Sequence, residues 1–315
     1  MVSAVSTANS YSAILADLLN AQNREVAAQQ QVATGKLGTD LAAYGGQTSN
    51  LVATNTVKAR VDGLVTQLNA QQVKQNFQQT ALTQLSTVAS GLQSTLTNAL
   101  ANGSGDGIMT DLQSYFSQAS EALNSQYGGD YMFSGGQTQT PPFTATSLSD
   151  LTTQATAAPF FQNGNLTPTT SIDDSTTIQS GFLASNIGSS LVGAMQSIEA
   201  FQQSASGNFG GALTTAQQTF VQGMITTLQG VSDAATQTAA QGGDIQSQVS
   251  TALTTQTDRQ TTLTNMLGDI TDVNMANAAS ALTQAQTAVQ ASAQVFTTLN
   301  GMSLLNYITP GSSLA

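Results

Sequence analysis

Three short clusters in this chain hold the residue types that could do chemistry. Asp173-Asp174 is the densest carboxylate pair, and carboxylates are the only general acid/base material present, because the chain has no histidine and no cysteine. Placed between Ile172 and Ser175, the pair reads as a turn. Asn102-Gly-Ser-Gly-Asp106-Gly107 follows the opening of a calcium loop, but position twelve would be Gln113 instead of a bidentate Glu. A helix–helix connection accounts for the same residues. Thr34-Gly35-Lys36 lacks the glycines that cradle a phosphate, so no P-loop is present. Lys36 is expected to cap the first helix, at its negative dipole end. Triads, Cys–His dyads, zinc sites and disulfides are excluded by composition. The expectation is a protein that is not an enzyme and takes no cofactor and no metal.

The elements around these clusters carry little charge. Charged residues make up 7% of the 315 residues, against a typical ~25%. Six bases and 17 acids give a net charge of −11. The bases are Arg24, Lys36, Lys58, Arg60, Lys74 and Arg259, so 75–258 contains none and holds 11 acids. Nearly neutral flanks therefore enclose an acidic middle, which repels its own kind and favours water. Six scattered cations make no nucleic-acid surface. With 40% apolar residues the chain can bury a core. Positions 1–13 carry no Lys or Arg ahead of an apolar run, so no cleavable signal peptide is expected. No window approaches the ~18 apolar residues of a membrane span.

The helix breakers divide the chain. Four of the five prolines, Pro141, Pro142, Pro159 and Pro168, fall close together among Phe143, Phe160, Phe161, Ile172, Ile178 and many threonines. Residues 136–183 are read as a small β-rich insert. The remainder is helical by period. Val57, Val61, Leu64 and Leu68 open a seam that passes through Gln71, Gln75 and Gln78. It resumes at Leu82, Leu85, Ala89, Leu92, Leu96 and Ala99. The helix carrying it would be roughly 65 Å long and ends at the glycines 103, 105 and 107. Shorter seams follow, at Ile187–Phe201 and from Phe220 to Ile270. The predicted fold is mainly α, with long antiparallel coiled-coil helices from both termini and a small β-rich outer insert. The expected parts are an N-terminal inner helix (1–40), the two halves of a helical rod (41–135 and 184–270), the insert (136–183) and a C-terminal inner helix (271–315).

The terminal helices are the candidate binding surfaces. Tyr11, Leu15, Leu18, Leu19 and Val26 share one broad face of the first. The last steps 3,4,3,4,3,4,3 through Met275, Ala278, Leu282, Ala285, Val289, Ser292, Phe296 and Leu299. Both are rich in Ala and Gln and poor in charge, unlike a helix whose outer face meets water. The expected cover is another copy or a similar partner. The candidate interface residues are Leu15, Leu18, Leu19, Val26, Leu282, Val289, Phe296, Leu299, Leu304 and Leu305.

Three stretches resemble the flagellin family of bacterial axial proteins. Gln31-Val-Ala-Thr34-Gly35-Lys36 is similar to the family's turn after the first helix. Asn124-Ser-Gln-Tyr-Gly-Gly-Asp-Tyr131-Met-Phe133-Ser134-Gly135, followed by Thr140-Pro-Pro142-Phe143, resembles a signature of the family's hook-associated branch. Asp272-Val-Asn-Met-Ala and Ser303-Leu304-Leu305-Asn-Tyr-Ile308 resemble the shared C-terminal helix. The resemblance implies a structural subunit coupling hook to filament. Its implied partners are its own copies, flagellin, another hook-associated junction protein and an export chaperone, reached by export outside the cell. A filament flagellin is the alternative. A surface module gripping a glycan or host factor through Phe143, Phe160 and Phe161 is a third reading, although these phenylalanines fit the insert's own core better.

Overall fold

The computed structural model describes the backbone of residues 2–308 and the side chains of 12–298. Six helices dominate: α1 (Val2–Thr34), α2 (Thr48–Asn102), α3 (Ile108–Leu123), α4 (Ala184–Gln202), α5 (Thr215–Thr271) and α6 (Met275–Ile308). Two antiparallel strand pairs complete the fold, β1 (Gln126–Tyr127) with β2 (Asp130–Tyr131), and β3 (Thr169–Ser171) with β4 (Thr177–Gln179). The mainly α, long-helix architecture is the one predicted. The strands are short, and one pair lies ahead of the insert. Most of 136–183 is turn, 3-10 helix and irregular backbone, where Pro142 and Pro159 supply no backbone donor for a ladder.

The chain forms two compact units, 1–60 with 259–315, and 61–258. The charge divides along the same line. The unit 61–258 has Lys74 as its only base among 12 acids, while the other holds five of each.

In the unit 61–258, one continuous core joins Leu85, Leu92 and Leu96 of α2 to Phe116 of α3, Ile198 of α4 and Leu228 of α5. The predicted α2 seam is buried from Val61 to Ala99, amide steps Gln75 and Gln78 included, except at the half-buried Leu64 and Gln71. Helix α2 stops at Asn102 because Gly103 turns left-handed at φ 62°. There the α2–α3 connection pairs with the segment before α5: Gly105 N donates to Gly211 O (2.8 Å) and Leu213 N to Gly103 O (2.8 Å). The Asp106 carboxylate accepts from Gly211 N at 2.7 Å and from Ser104 Oγ at 2.9 Å. Those bonds, the Gly211 amide first, hold its carboxyl below the usual range. The loop that resembled a calcium site is thus a helix connection with its carboxylate already occupied.

The amide steps in α2 are buried polar groups with mixed success in finding partners. Gln75 Nε2 donates to Ser180 O (2.6 Å) and Gln79 Nε2 to Ala239 O (3.1 Å). Gly242 lets the α5 backbone approach this layer: a Cβ there would lie 2.5 Å from Gln79 Oε1 and 2.8 Å from Leu82 Cδ1. Gln78 is fully buried and neither amide atom has a partner. An unpaired buried amide costs about 1–3 kcal/mol. Gln78→Leu keeps the seam position and removes both orphaned atoms. Its urea midpoint is expected to rise, by about 1–3 kcal/mol of stability, and a fall would show that the amide is paired in solution.

The insert is fixed by its own carboxylates. Asp150 Oδ2 accepts from Thr146 Oγ1 (2.8 Å), Thr146 N (2.9 Å) and Ser147 N (2.9 Å). These bonds, the Thr146 hydroxyl's first, lower its carboxyl from 3.8 to about 2. A depressed carboxyl stabilises fully above its unfolded value and stops doing so as pH falls through its folded value. Hydrogen exchange at the Thr146 and Ser147 amides is therefore expected to lose protection, beyond the intrinsic pH effect, as pH falls from 3.8 towards about 2. Asp150→Asn should remove that step. Asp173 closes the β3–β4 turn by accepting from Ser175 N (2.7 Å) and Thr176 N (2.8 Å), the turn expected of Asp173-Asp174.

Candidate functional site

The terminal unit is built on α1 and α6, which run antiparallel from a shared turn. Their seam is made of alanine. Ala21 and Ala28 on α1 and Ala278 and Ala285 on α6 are buried, seven residues apart on each helix. Leu18, Leu282, Val289 and Phe296 flank the seam and are half-buried. The period of α6 is the predicted one. The α1 alanines lie outside the face read from sequence, which followed the larger side chains.

Of the remaining α1 residues of that face, Leu15, Leu19 and Val26 point elsewhere, and the side chain of Tyr11 lies outside the described residues. At 3.6 residues per turn, Leu15, Leu19 and Val26 fall within roughly 40° of arc, and Ala21 and Ala28 lie about 140–160° away. Leu15 is 40% exposed, Leu19 51% and Val26 53%. Helix α1 thus carries two apolar stripes, a closed one of small residues and an open one of large residues. Alanine burial contributes little, since each buried methylene-sized group is worth ~0.8 kcal/mol. About half of the surface of these three large side chains remains uncovered in the free chain. Leu299, Leu304 and Leu305 lie on α6, but their side chains are outside the described residues.

A clasp sets the register of the pair. Gly35 N caps α1 on Gln31 O (2.9 Å), Leu37 N donates to Thr271 O (2.7 Å), and Val273 N donates to Gly35 O (2.9 Å). The Lys36 ammonium reaches Asp272 Oδ1 at 2.5 Å and Thr271 Oγ1 at 3.0 Å. Lys36 therefore pairs with a carboxylate across the turn and does not cap α1, because a full charge attracts it more than a partial helix-end charge. Hydrogen bonds from Lys36, then Thr271, hold the Asp272 carboxyl below its usual range. At 47% and 57% side-chain exposure this pair is solvated, so ordering more than energy is its contribution. Thr34 Oγ1 folds back on Gln30 O (2.7 Å) and also receives Lys36 N (3.2 Å).

The second motif is a structural staple in the unit 61–258. Asn124 grips Phe143 at both ends, donating Nδ2 to its carbonyl (2.8 Å) and accepting its N–H (3.0 Å). Phe133, Ser134, Pro142 and Phe143 are buried, and Tyr131 is half-buried. Ser134 Oγ donates to Tyr131 O (2.8 Å). Gly135 sits at φ 66°, with space for a Cβ already taken by Gly164 O (2.9 Å) and Leu183 Cδ2 (2.9 Å). Phe143 packs on Phe116 and Phe161 at centroid distances of 6.1 and 5.3 Å. Phe143 is core, and Phe160 and Phe161 are half-buried against it.

Among the described residues, no three His, Cys, Asp or Glu side chains gather to hold a metal, and no helix is long and apolar enough to cross a membrane.

One unit is thus a pair of long terminal helices and the other a helical body of its own. Residues 225–308 match the bacterial flagellin C-terminal helical region. Two solved structures share the fold. One is a flagellar hook-associated protein from Vibrio parahaemolyticus, with 15% identity, TM-score 0.57, and 71% of this chain and 97% of that one covered. The other is FlgL from Bacillus cereus, with 13% identity, TM-score 0.55, and 68% and 98% covered. No curated protein sequence matches. The C-terminal region is therefore of flagellin type, on a fold shared with hook-associated proteins.

Proposed function

We propose that this chain is a structural subunit of the bacterial flagellum, and that it sits at the hook–filament junction in the role of hook-associated protein 3. The observation that carries the reading is the open stripe of Leu15, Leu19 and Val26, turned away from the alanine seam of a charge-balanced terminal unit. Such a stripe becomes buried when equivalent helices pack side by side. Leu282, Val289 and Phe296, half-exposed on α6, extend the contact, with Leu299, Leu304 and Leu305 beyond them. The acidic charge of the unit 61–258 gives a mutual repulsion that opposes unspecific sticking. The flagellin match and the hook-associated fold support this assignment. The partners are further copies, flagellin on one side and a second hook-associated protein on the other, with an export chaperone before assembly. Work is done by mechanical coupling and not by catalysis.

The flagellin match also favours a second reading, a filament subunit that polymerises without limit. Deleting the gene and viewing cells and medium by electron microscopy separates the two. Hooks without filaments, with flagellin shed to the medium, are expected of the junction role. Filaments that persist but are shortened or altered would favour one flagellin among several. Unchanged flagella and motility would overturn both.

A further inference from the structure

We propose that residues 168–181, the β3–β4 hairpin and its base, form a strap that releases from α2 and α5 as a unit while the main core stays folded. This is independent of the flagellar reading. The hairpin holds its own shape. Its three residue pairs are closed at the tip by Asp173 and at the base by Ser180 N donating to Pro168 O (2.8 Å).

Its seat is separate from the main core. Ile172 and Ile178 pack on a satellite cluster of Leu68, Val249 and Ala252, which does not join the continuous core. Ile172 and Ile178 are part-buried and Leu68 and Val249 beneath them fully buried, so release exposes this small cluster alone and leaves the continuous core closed. An open cleft of about 360 Å³ lies beside the tip along α5, lined by Ile172, Asp173, Thr251 and Gln256 among others, so water reaches this edge of the strap.

The polar anchors cost little to break. Gln75 Nε2 holds Ser180 O (2.6 Å) and Gln256 Nε2 holds Ile172 O (3.2 Å). Gln256 Oε1 is buried without a partner, and release gives it water. An element with few apolar contacts, carbonyl anchors and an orphaned acceptor beneath it opens at a free energy well below global unfolding. Opening uncovers the α2–α5 face around Leu68 and Val249.

The chain has no cysteine, so a single introduced thiol reports this opening cleanly. Val249→Cys and Val88→Cys place the probe at two fully buried valines, one under the strap and one in the main core. With a small thiol reagent under native conditions, Val249→Cys is expected to label at least ~100-fold faster, with weak urea dependence, while Val88→Cys follows global unfolding. Adding Ile178→Ala should accelerate the first about tenfold and leave the second unchanged. Equal rates with equal urea dependence would overturn the proposal, as would a Val249→Cys rate indifferent to Ile178→Ala, since then the helices part instead. Hydrogen exchange on the unaltered chain gives the same decision without substitution. Strap amides should exchange faster than those of Leu92–Leu96 by a similar margin, and equal protection would contradict release.

Discussion

Leu19→Asp combined with Val26→Asp is expected to leave the subunit folded and exported, and to abolish its incorporation into flagella. Both side chains are about half exposed in the free chain, at 51% and 53%, so two carboxylates there meet water and cost the monomer little. In a closed interface each would be an unpaired buried charge, a penalty of several kcal/mol. A loss of only about 3 kcal/mol already weakens association more than 100-fold. The readouts are motility and electron microscopy, with circular dichroism of the free subunit as the folding control. Val289→Asp differs in an instructive way. Val289 flanks the α1–α6 seam, so this change should lose the helix pairing and the assembly together, with export intact. Normal motility in the Leu19/Val26 variant would remove α1's open stripe from the interface.

The second large effect concerns the staple. Phe133 is fully buried, and its carbonyl accepts the Ala184 amide at 2.9 Å as α4 begins. Phe133→Ala leaves a cavity among core residues contributed by several elements, and about 3–5 kcal/mol of stability is expected to be lost. That is a large fraction of a typical domain's total of 5–15 kcal/mol. Urea unfolding of the purified chain measures it. A cost below 1 kcal/mol would mean that the motif is not part of the core.

The long helices were legible because a repeated 3,4 step can only be satisfied by another helix. Leu82 to Ala99 on α2 and Ala278 to Phe296 on α6 follow that step in burial as in sequence. The amides at 75 and 78 sit inside the seam, as their spacing implied, but no local rule says where a buried amide finds its partner. The alanine seam of α1 was illegible for a related reason. Alanine is the best helix former and is at home on surfaces and in close contacts alike. Large side chains seemed the better guide to the seam, and they mark the open face instead. The Lys36–Asp272 clasp joins residues 236 apart, and composition offered only the opposite charges as a hint. In the insert, threonine and proline suggested strands. The prolines instead divide it into turns, and a three-residue hairpin is the only ladder inside 136–183. The second motif is visible as a string, and the structure gives a reason for several of its residues: Asn124 clamps Phe143, the rings of Phe133 and Phe143 are buried, and Gly135 sits where no Cβ fits.

Burial of α1's open stripe on assembly would shield a thiol placed on it. In a cysteine-free chain, Leu19→Cys and Leu166→Cys place single probes on the stripe and on an insert loop where the leucine is 72% exposed. Both should label readily in the free subunit. In isolated flagella Leu19→Cys is expected to be shielded while Leu166→Cys still reacts. Equal labelling of Leu19→Cys in free and assembled protein would contradict it.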